Sequence, residues 1–471
     1  MARVARRRTI ILQALTEKLK DNHHTFEKLF IFFILAQPFL DLLSYFGIPV
    51  SNPVRLLVIP IGALYMLGYP NRRWSRNTLI YMTLLAVYFA INFGVSMIWK
   101  DPVSAVGELT FILKTFFFIT ALLVYAMIFR HIGGNREWQV MVPKYLFINT
   151  SVVSLVMLLA EITGTGKRSY DYLEKQGHSG WFFSGNEISA ILGMGFCGAI
   201  IYYLFIKKSS FAQIICTVLI AVMIWAMLTI GTKVAFGAAL LVLGLAFIVL
   251  LVQAIIERRN FIQAGVVLVL LAVTILVSPE MPIGNNLGLS VDMANEKAAQ
   301  QQEAEAPPIP AEGEEGEAPP PGSVRQWSSW QLMALNGREE FFGTVLYYFE
   351  HAPVIQKAFG MGIGGNYTGE EPRIIEMDIL DWFFGFGFIG TLILVLPLVF
   401  VIGSILVFIF KQRFRTLNAT ALFSGIGACI GLGAAFIAGH ILSSPASGFY
   451  LALFLGFLYG LLKQKPGKFF Q

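Results

Sequence analysis

The sequence predicts an all-α, polytopic integral membrane protein, and three observations carry that prediction. Of its 471 residues 56% are hydrophobic and 14% are charged, against roughly 25% charged in a soluble globular chain. The apolar residues are gathered into runs of the ~20 residues that a helix needs to cross a hydrocarbon core about 30 Å thick. Short clusters of Lys and Arg separate alternate runs, the pattern that sets orientation in a bilayer.

The runs fall near residues 27–47, 53–70, 78–98, 109–129, 143–163, 186–206, 211–230, 233–256, 261–279, 379–410, 417–438 and 440–462, so about twelve transmembrane helices are expected. Arg3, Arg6, Arg7 and Arg8 look like the start of a signal peptide, but the first apolar run begins only near Phe26 and no small-residue cleavage site follows it. The reading is an uncleaved first membrane helix. With the amino terminus placed in the cytoplasm, the clusters Arg72/Arg73/Arg76, Arg130/Arg136/Lys144, Lys207/Lys208, Arg258/Arg259, Lys411/Arg413/Arg415 and Lys463/Lys465/Lys468 all fall inside, and both termini are cytoplasmic. The net charge of +6 is spent on these scattered clusters and forms no continuous patch, so nucleic acid is not an expected partner; the lipid bilayer is. Cys197, Cys216 and Cys429 lie in apolar runs without the spacing of a metal site or a disulfide framework.

Three regions follow: an N-terminal membrane region 1–278 with nine helices, an extracytoplasmic loop 279–378 before the tenth helix, and a C-terminal membrane region 379–471 with three helices. Within the loop, 295–322 is acidic and Pro-rich, with too few apolar side chains to offset the entropy of ordering, and reads as a disordered insert. Helical periodicity returns over 323–359 and lies along the membrane surface or over a cavity. Gly360-Met361-Gly362-Ile363-Gly364-Gly365 has no preceding strand and no following Lys-Ser/Thr, so it reads as a hinge and not as a nucleotide loop.

Because Lys and Arg are sparse on the outer face, those found there in apolar surroundings are the functional candidates. They are Lys167 and Arg168 in a short outer loop that also holds His178, Lys233 in the turn Gly231-Thr232-Lys233, and Arg338 in the large loop. Cations gathered at the mouth of a bundle suit an anion, and a guanidinium fork suits phosphate oxygens. Plainer accounts stand beside this one. Lys233 fits a snorkelling side chain, Lys167 and Arg168 fit contacts to lipid headgroups, Arg338 beside Glu339 and Glu340 fits a solvated helix charge, and His178 fits a solvated loop residue. Glu376, Asp378 and Asp381 open the tenth helix; Asp378 suits a general base for a sugar hydroxyl, or these acids simply cap the helix start. Asp41 and Lys114 lie within membrane runs and either pair with one another or form part of a proton path.

The order of these residues resembles the O-antigen ligase and polymerase superfamily, in its Gram-positive ligase-like form. Gly180-Trp181-Phe182-Phe183-Ser184-Gly185-Asn186-Glu187 is similar to the Gly-aromatic stretch that opens a central helix, Thr232-Lys233 to a Ser/Thr-Arg pair with Lys in place of Arg, and Gly337-Arg338 with the later Gly-rich turn to the large-loop pattern. Met377-Asp378 stands where the ligases usually carry His-Asn. The resemblance implies a membrane glycosyltransferase C-like fold at the bacterial cytoplasmic membrane, with the active site facing outward. It implies metal-independent, cofactor-free transfer or polymerisation of an undecaprenyl-diphosphate-linked glycan onto an acceptor hydroxyl. Arg338, Lys233, Arg168 and Lys167 would hold the donor diphosphate, with Arg338 also stabilising the leaving group; Asp378 would act as base, and Glu376 and His178 are the reserve candidates. The competing class is a transporter or flippase of lipid-linked glycans, against which stand the absence of a visible repeat and the placement of polar candidates on one face. A membrane scaffold is a third reading and leaves the outer cations without a task. Deletion of much of 295–322 is expected to leave activity largely intact, because shortening a flexible loop changes closure entropy little; complete loss of activity in a normally inserted deletion variant would contradict this.

Overall fold

The structure, a computed structural model, describes residues 17–133, 135–170, 174–205, 209–258, 260–303, 327–335, 337–367, 374–413 and 418–463. Among these residues there is no strand, only an isolated bridge between Arg168 and His178. The helices are α1 (His23–Tyr45), α2 (Ser51–Leu56), α3 (Val58–Gly68), α4 (Arg72–Trp99), α5 (Ala105–Ile132), α6 (Arg136–Ile162), α7 (Gly185–Phe205), α8 (Ser210–Thr229), α9 (Lys233–Glu257) and α10 (Phe261–Val277). They continue as α11 (Pro282–Glu303), α12 (Ser329–Leu335), α13 (Arg338–His351), α14 (Val354–Phe359), α15 (Asp378–Lys411), α16 (Ala419–Ile437) and α17 (Pro445–Leu462).

Among the described residues eleven candidate spans are long and apolar enough to cross a membrane, eight before the large loop and three after it, with α2 and α3 together making one. The sequence reading expected twelve. The difference is the first run: α1 is a 23-residue helix, but it is not among the eleven. It carries Glu27, Gln37 and Asp41 into the bundle, where Arg55 of α2 receives the last two. Arg55 donates to Gln37 Oε1 at 3.0 Å and to both Asp41 carboxylate oxygens at 2.7 and 2.8 Å. Asp41 therefore pairs with Arg55 and not with Lys114.

Helix α17 is the axis of the bundle. All eighteen of its residues are buried, chiefly against α5. Close approach is licensed by Gly456 and Gly460, one turn apart: a Cβ there would stand 2.7 Å from the Tyr125 carbonyl carbon and 2.5 Å from the Phe129 oxygen. Small residues at this spacing let membrane helices pack backbone to backbone.

The most constrained passage is where α15 breaks. Gly387 has φ 63° and ψ −173° inside the helix, which frees the carbonyls just before it. Unpaired carbonyls cost several kcal/mol in a water-poor interior, and here each finds a donor. Met361 N bonds Phe384 O at 2.9 Å, Gly362 N bonds Gly385 O at 3.0 Å, Asn92 Nδ2 bonds Gly385 O at 3.1 Å, and the Tyr88 hydroxyl donates to Phe386 O. The Gly-rich turn predicted as a hinge is thus laced to the kink. Its far side is clamped by a buried pair: Lys100 Nζ lies 2.5 Å from Glu108 Oε1 and also donates to Ile363 O, while Ile363 N donates to both Glu108 oxygens at 3.2 Å.

Helices α11 to α14 lie over the same end of the bundle. The run 295–322 is not uniform. Residues 295–303 continue α11, and Lys297 bridges Glu339 at 2.9 Å and Glu340 at 2.8 Å; 304–322 lie outside the described residues. A deletion confined to 304–322 is therefore expected to be better tolerated than one starting at 295, which removes the Lys297 bridge to α13. In Gly360→Ala the new Cβ would meet Gly385 O at 2.1 Å at a position with φ 100°. A loss of at least about 1–3 kcal/mol is expected, read as a lowered unfolding temperature in detergent.

Candidate active site

Arg338 begins α13 directly after Gly337, whose φ of 93° turns the chain inward. The guanidinium is buried and gives four of its five N–H donors to the protein. Nε bonds Glu376 O at 3.0 Å, Nη1 bonds Leu335 O at 3.3 Å, and Nη2 bonds Glu376 Oε2 and Ala438 O, each at 3.2 Å. It is neither a solvated helix charge nor a freely presented fork: it ties the large loop to the starts of α15 and of the turn before α17.

Glu376 faces His440 from its other oxygen, with Oε1 3.8 Å from Nε2. The imidazole holds the carboxylate below its ordinary pKa against the opposing effect of burial, and the charges of His440 and Arg338 add to it. Burial disfavours a protonated His440, but the carboxylates of Glu376, Glu187 and Asp378 outweigh that and hold its pKa above the ordinary 6.5. Both residues sit in the left-handed backbone region, at φ 62° and 58°, where L side chains are strained and which recurs at functional sites. Gly439 between the two segments is required: a Cβ there would stand 2.2 Å from Glu376 O.

Asp378 lies where no base can work from. It is fully buried, and four donors fill its oxygens: Ile441 N at 2.7 Å and Leu442 N at 2.9 Å on Oδ2, Ser443 Oγ at 2.6 Å and Ser443 N at 3.3 Å on Oδ1. It fixes the turn that presents His440. Asp381 likewise accepts from Ile375 N at 2.9 Å and Met377 N at 3.1 Å, which pins the strained entry to α15. For these two acids the helix-start account describes the geometry.

Beside His440 two adjoining cavities open into the bundle. One, about 170 Å³, is lined by His440, Ser443, Asp381, Gly362 and Gly364; the other, about 180 Å³, by Asp41, Arg55, Ser51 and Phe182. Lys114, Glu187 and Ser444 line both. Lys114 has no hydrogen bond or ion pair among the described residues, so an intramembrane ammonium faces an open polar volume.

The short loop between α6 and α7 forms a hairpin, closed by Lys167 N to Gly180 O and Ser179 N to Lys167 O, both 2.8 Å. His178 is spent within it: Nδ1 accepts from Gly180 N at 3.0 Å and Nε2 lies 2.7 Å from Glu161 Oε2. Burial lowers its pKa against the pull of Glu161. Arg168 donates to Lys175 O at 3.0 Å, and Lys167 Nζ stands 5.2 Å from the exposed Phe183 ring. Lys233 donates to Met333 O at 2.7 Å, joining α9 to α12. Lys175, buried beside the Tyr170 ring, is the cation that the sequence reading passed over. Its pKa is lowered by burial and by the charge of Arg338, and Lys175 and Arg338 both act on Lys233. Lys175 and Lys233 thus both feel the charge of Arg338, and Arg168 and Lys167 belong to the hairpin that carries Lys175.

His440 was missed because 440–462 reads as one apolar run. The signal lay in Gly439-His440 followed by Ser443-Ser444-Pro445, since a Ser followed by Pro is a helix start: Ser444 Oγ caps Ala446 N at 3.3 Å, which leaves His440 outside the helix. Glu187 lay unremarked inside the Gly-aromatic motif.

No curated protein matches the chain. The sequence model of the family described as O-antigen ligase like membrane protein matches residues 23–465. With a helical bundle, a large loop folded over one end and charged residues gathered beneath it, the chain belongs to the O-antigen ligase-like family of membrane proteins.

Proposed function

We propose that the protein transfers or polymerises an undecaprenyl-diphosphate-linked glycan onto an acceptor hydroxyl, at the outer face of the bacterial cytoplasmic membrane and without a metal at the reacting centre. Family membership supports glycan ligation or polymerisation at a membrane in general. The observation that carries the finer reading is the Lys114 ammonium, unpaired among the described residues, in a cavity that is also lined by His440, the ion-pair partner of Glu376.

In this reading the donor diphosphate lies against Lys114, drawn in past Lys175, Lys233 and Arg338. The acceptor oxygen attacks the anomeric carbon from the opposite side, the bond to the diphosphate oxygen breaks with its electron pair leaving on the phosphate, and the hydroxyl proton passes to Glu376. Charge growing on the departing oxygens is met by Lys114, a fixed charge in a water-poor site where it acts strongly, while protonated His440 on the acceptor side keeps Glu376 ionised. Arg338 holds Glu376 in place and adds its charge, and Asp378 positions His440 by holding the 441–443 turn. The attack inverts the anomeric centre.

Turnover of a synthetic lipid-diphosphate oligosaccharide, followed by product length and diphosphate release, tests the assignment. Lys114→Ala is expected to lower kcat by about 10²–10³ and Glu376→Gln by about 10²–10⁴. Asp378→Asn should instead cost folding stability, about 1–3 kcal/mol, because its new NH₂ faces backbone donors that then lose their acceptor. Full activity in both Lys114→Ala and Glu376→Gln would sink the reading; movement of intact lipid between leaflets without transfer would favour a flippase. Activity needs His440 protonated and Glu376 ionised, so it should fall as pH rises through a His440 pKa above 6.5 and as pH drops through a Glu376 pKa below 4.5. His440→Ala should have a lower rate and no alkaline limb in the pH profile.

A further inference from the structure

At the end of the bundle away from the cavities, three histidines close around one buried carboxylate. His23 and His24 open α1, Glu27 follows one turn later, and His131 comes from the last turn of α5. One ligand atom from each of the four lies within 4.8 Å of all the others. The imidazole centroids are 4.0, 5.0 and 5.7 Å apart. Glu27 is 1% exposed, and its carboxylate takes His131 Nδ1 at 2.7 Å, His24 Nδ1 at 3.0 Å and the Tyr65 hydroxyl at 3.2 Å.

We infer that His23, His24, Glu27 and His131 form a binding site for a divalent transition-metal cation of the zinc class. Three imidazoles and a carboxylate are a borderline nitrogen and oxygen set that such ions prefer to Mg²⁺ or Ca²⁺. Bonds of about 2.0–2.1 Å place tetrahedral ligand atoms about 3.3 Å apart, so the four atoms need to draw in by only about 1.5 Å. The two most exposed members can make that movement: the side chains of His24 and His131 are 67% and 30% exposed. The supporting contacts are present too. His23 Nδ1 donates to the Lys20 carbonyl, which can only accept, so the neutral ring keeps its lone pair on Nε2. Tyr65 holds the carboxylate from α3.

Glu108 and His131 are twenty-three residues apart on α5, about 35 Å along the helix, so this ion takes no part in glycan transfer. It staples the start of α1 to the end of α5 and, through Glu27 and Tyr65, to α3. In the metal-free state His24 and His131 present Nδ1–H groups to Glu27, and to coordinate through those nitrogens each neutral ring moves its proton to Nε2.

The test uses the full chain in detergent, purified without a polyhistidine tag, stripped with a chelator and then given Zn²⁺ alone or Co²⁺ alone. One Zn²⁺ per chain after gel filtration and the visible absorption of tetrahedral Co²⁺ are expected. His24→Gln and His131→Gln, both at partly exposed positions that leave the helices intact, should each weaken Zn²⁺ by at least about 10–100-fold. A monodisperse His24→Gln/His131→Gln double variant should bind none. Substoichiometric Zn²⁺ on the wild type, or Zn²⁺ retained undiminished by the monodisperse double variant, would overturn the assignment.

Discussion

Every departure from helix in this bundle exposes backbone groups that neither lipid nor a dry interior can satisfy, and the functional end of the protein is built around meeting that demand. The broken carbonyls of α15 are taken by the Gly-rich turn, Tyr88 and Asn92. The amides of 441–443 are taken by Asp378, and those of 375 and 377 by Asp381. Asn286 does the same for the hairpin before α7, accepting from Gln176 N at 2.8 Å and donating to Gln176 O at 2.7 Å and Gly231 O at 2.9 Å. Polar side chains at this end serve first as fasteners for irregular backbone, and the site occupies the space that the irregular backbone creates.

That division sorts the charged residues. Asp378, Asp381, Glu108 and Arg55 have their hydrogen-bonding capacity largely consumed by protein partners; removing one leaves a buried group unsatisfied, which costs more than the net worth of the interaction it made. Glu376 and His440 differ because they are half-open and face each other across 3.8 Å, each keeping the other charged. Lys114 differs again, with a cavity in front of it where a partner would be. Arg338 belongs to both classes, since its hydrogen bonds fix the loop while its charge still reaches Lys175 and Lys233.

The two ends of the bundle thus handle charge differently. At one end cations and carboxylates surround open volume. At the other, Lys20, Arg72, Arg73 and Arg76 line a groove of about 810 Å³, while Glu27 is enclosed by imidazoles and a tyrosine. Helix α5 joins the two, carrying Glu108 and Lys114 towards one end and Arg130 and His131 at the other.

The sequence by itself determined the class of protein, the approximate position of the spans and the place of the large loop, because apolar run length and Lys/Arg spacing respond to the bilayer, a constraint that acts on each segment independently. It also pointed to Arg338, Glu376 and Lys114 as residues out of keeping with their surroundings. Which of them is fastened and which is free was decided only by tertiary structure. Asp378 and Glu376 are two residues apart with the same chemistry, yet one meets three backbone amides from a turn more than sixty positions away and the other meets a histidine hidden at the edge of an apolar run. Asp41 found Arg55, not Lys114, because α2 breaks from α3 and folds its arginine back onto α1. Contacts of this kind join residues far apart in the chain, and no local pattern of hydrophobicity or charge encodes the partner.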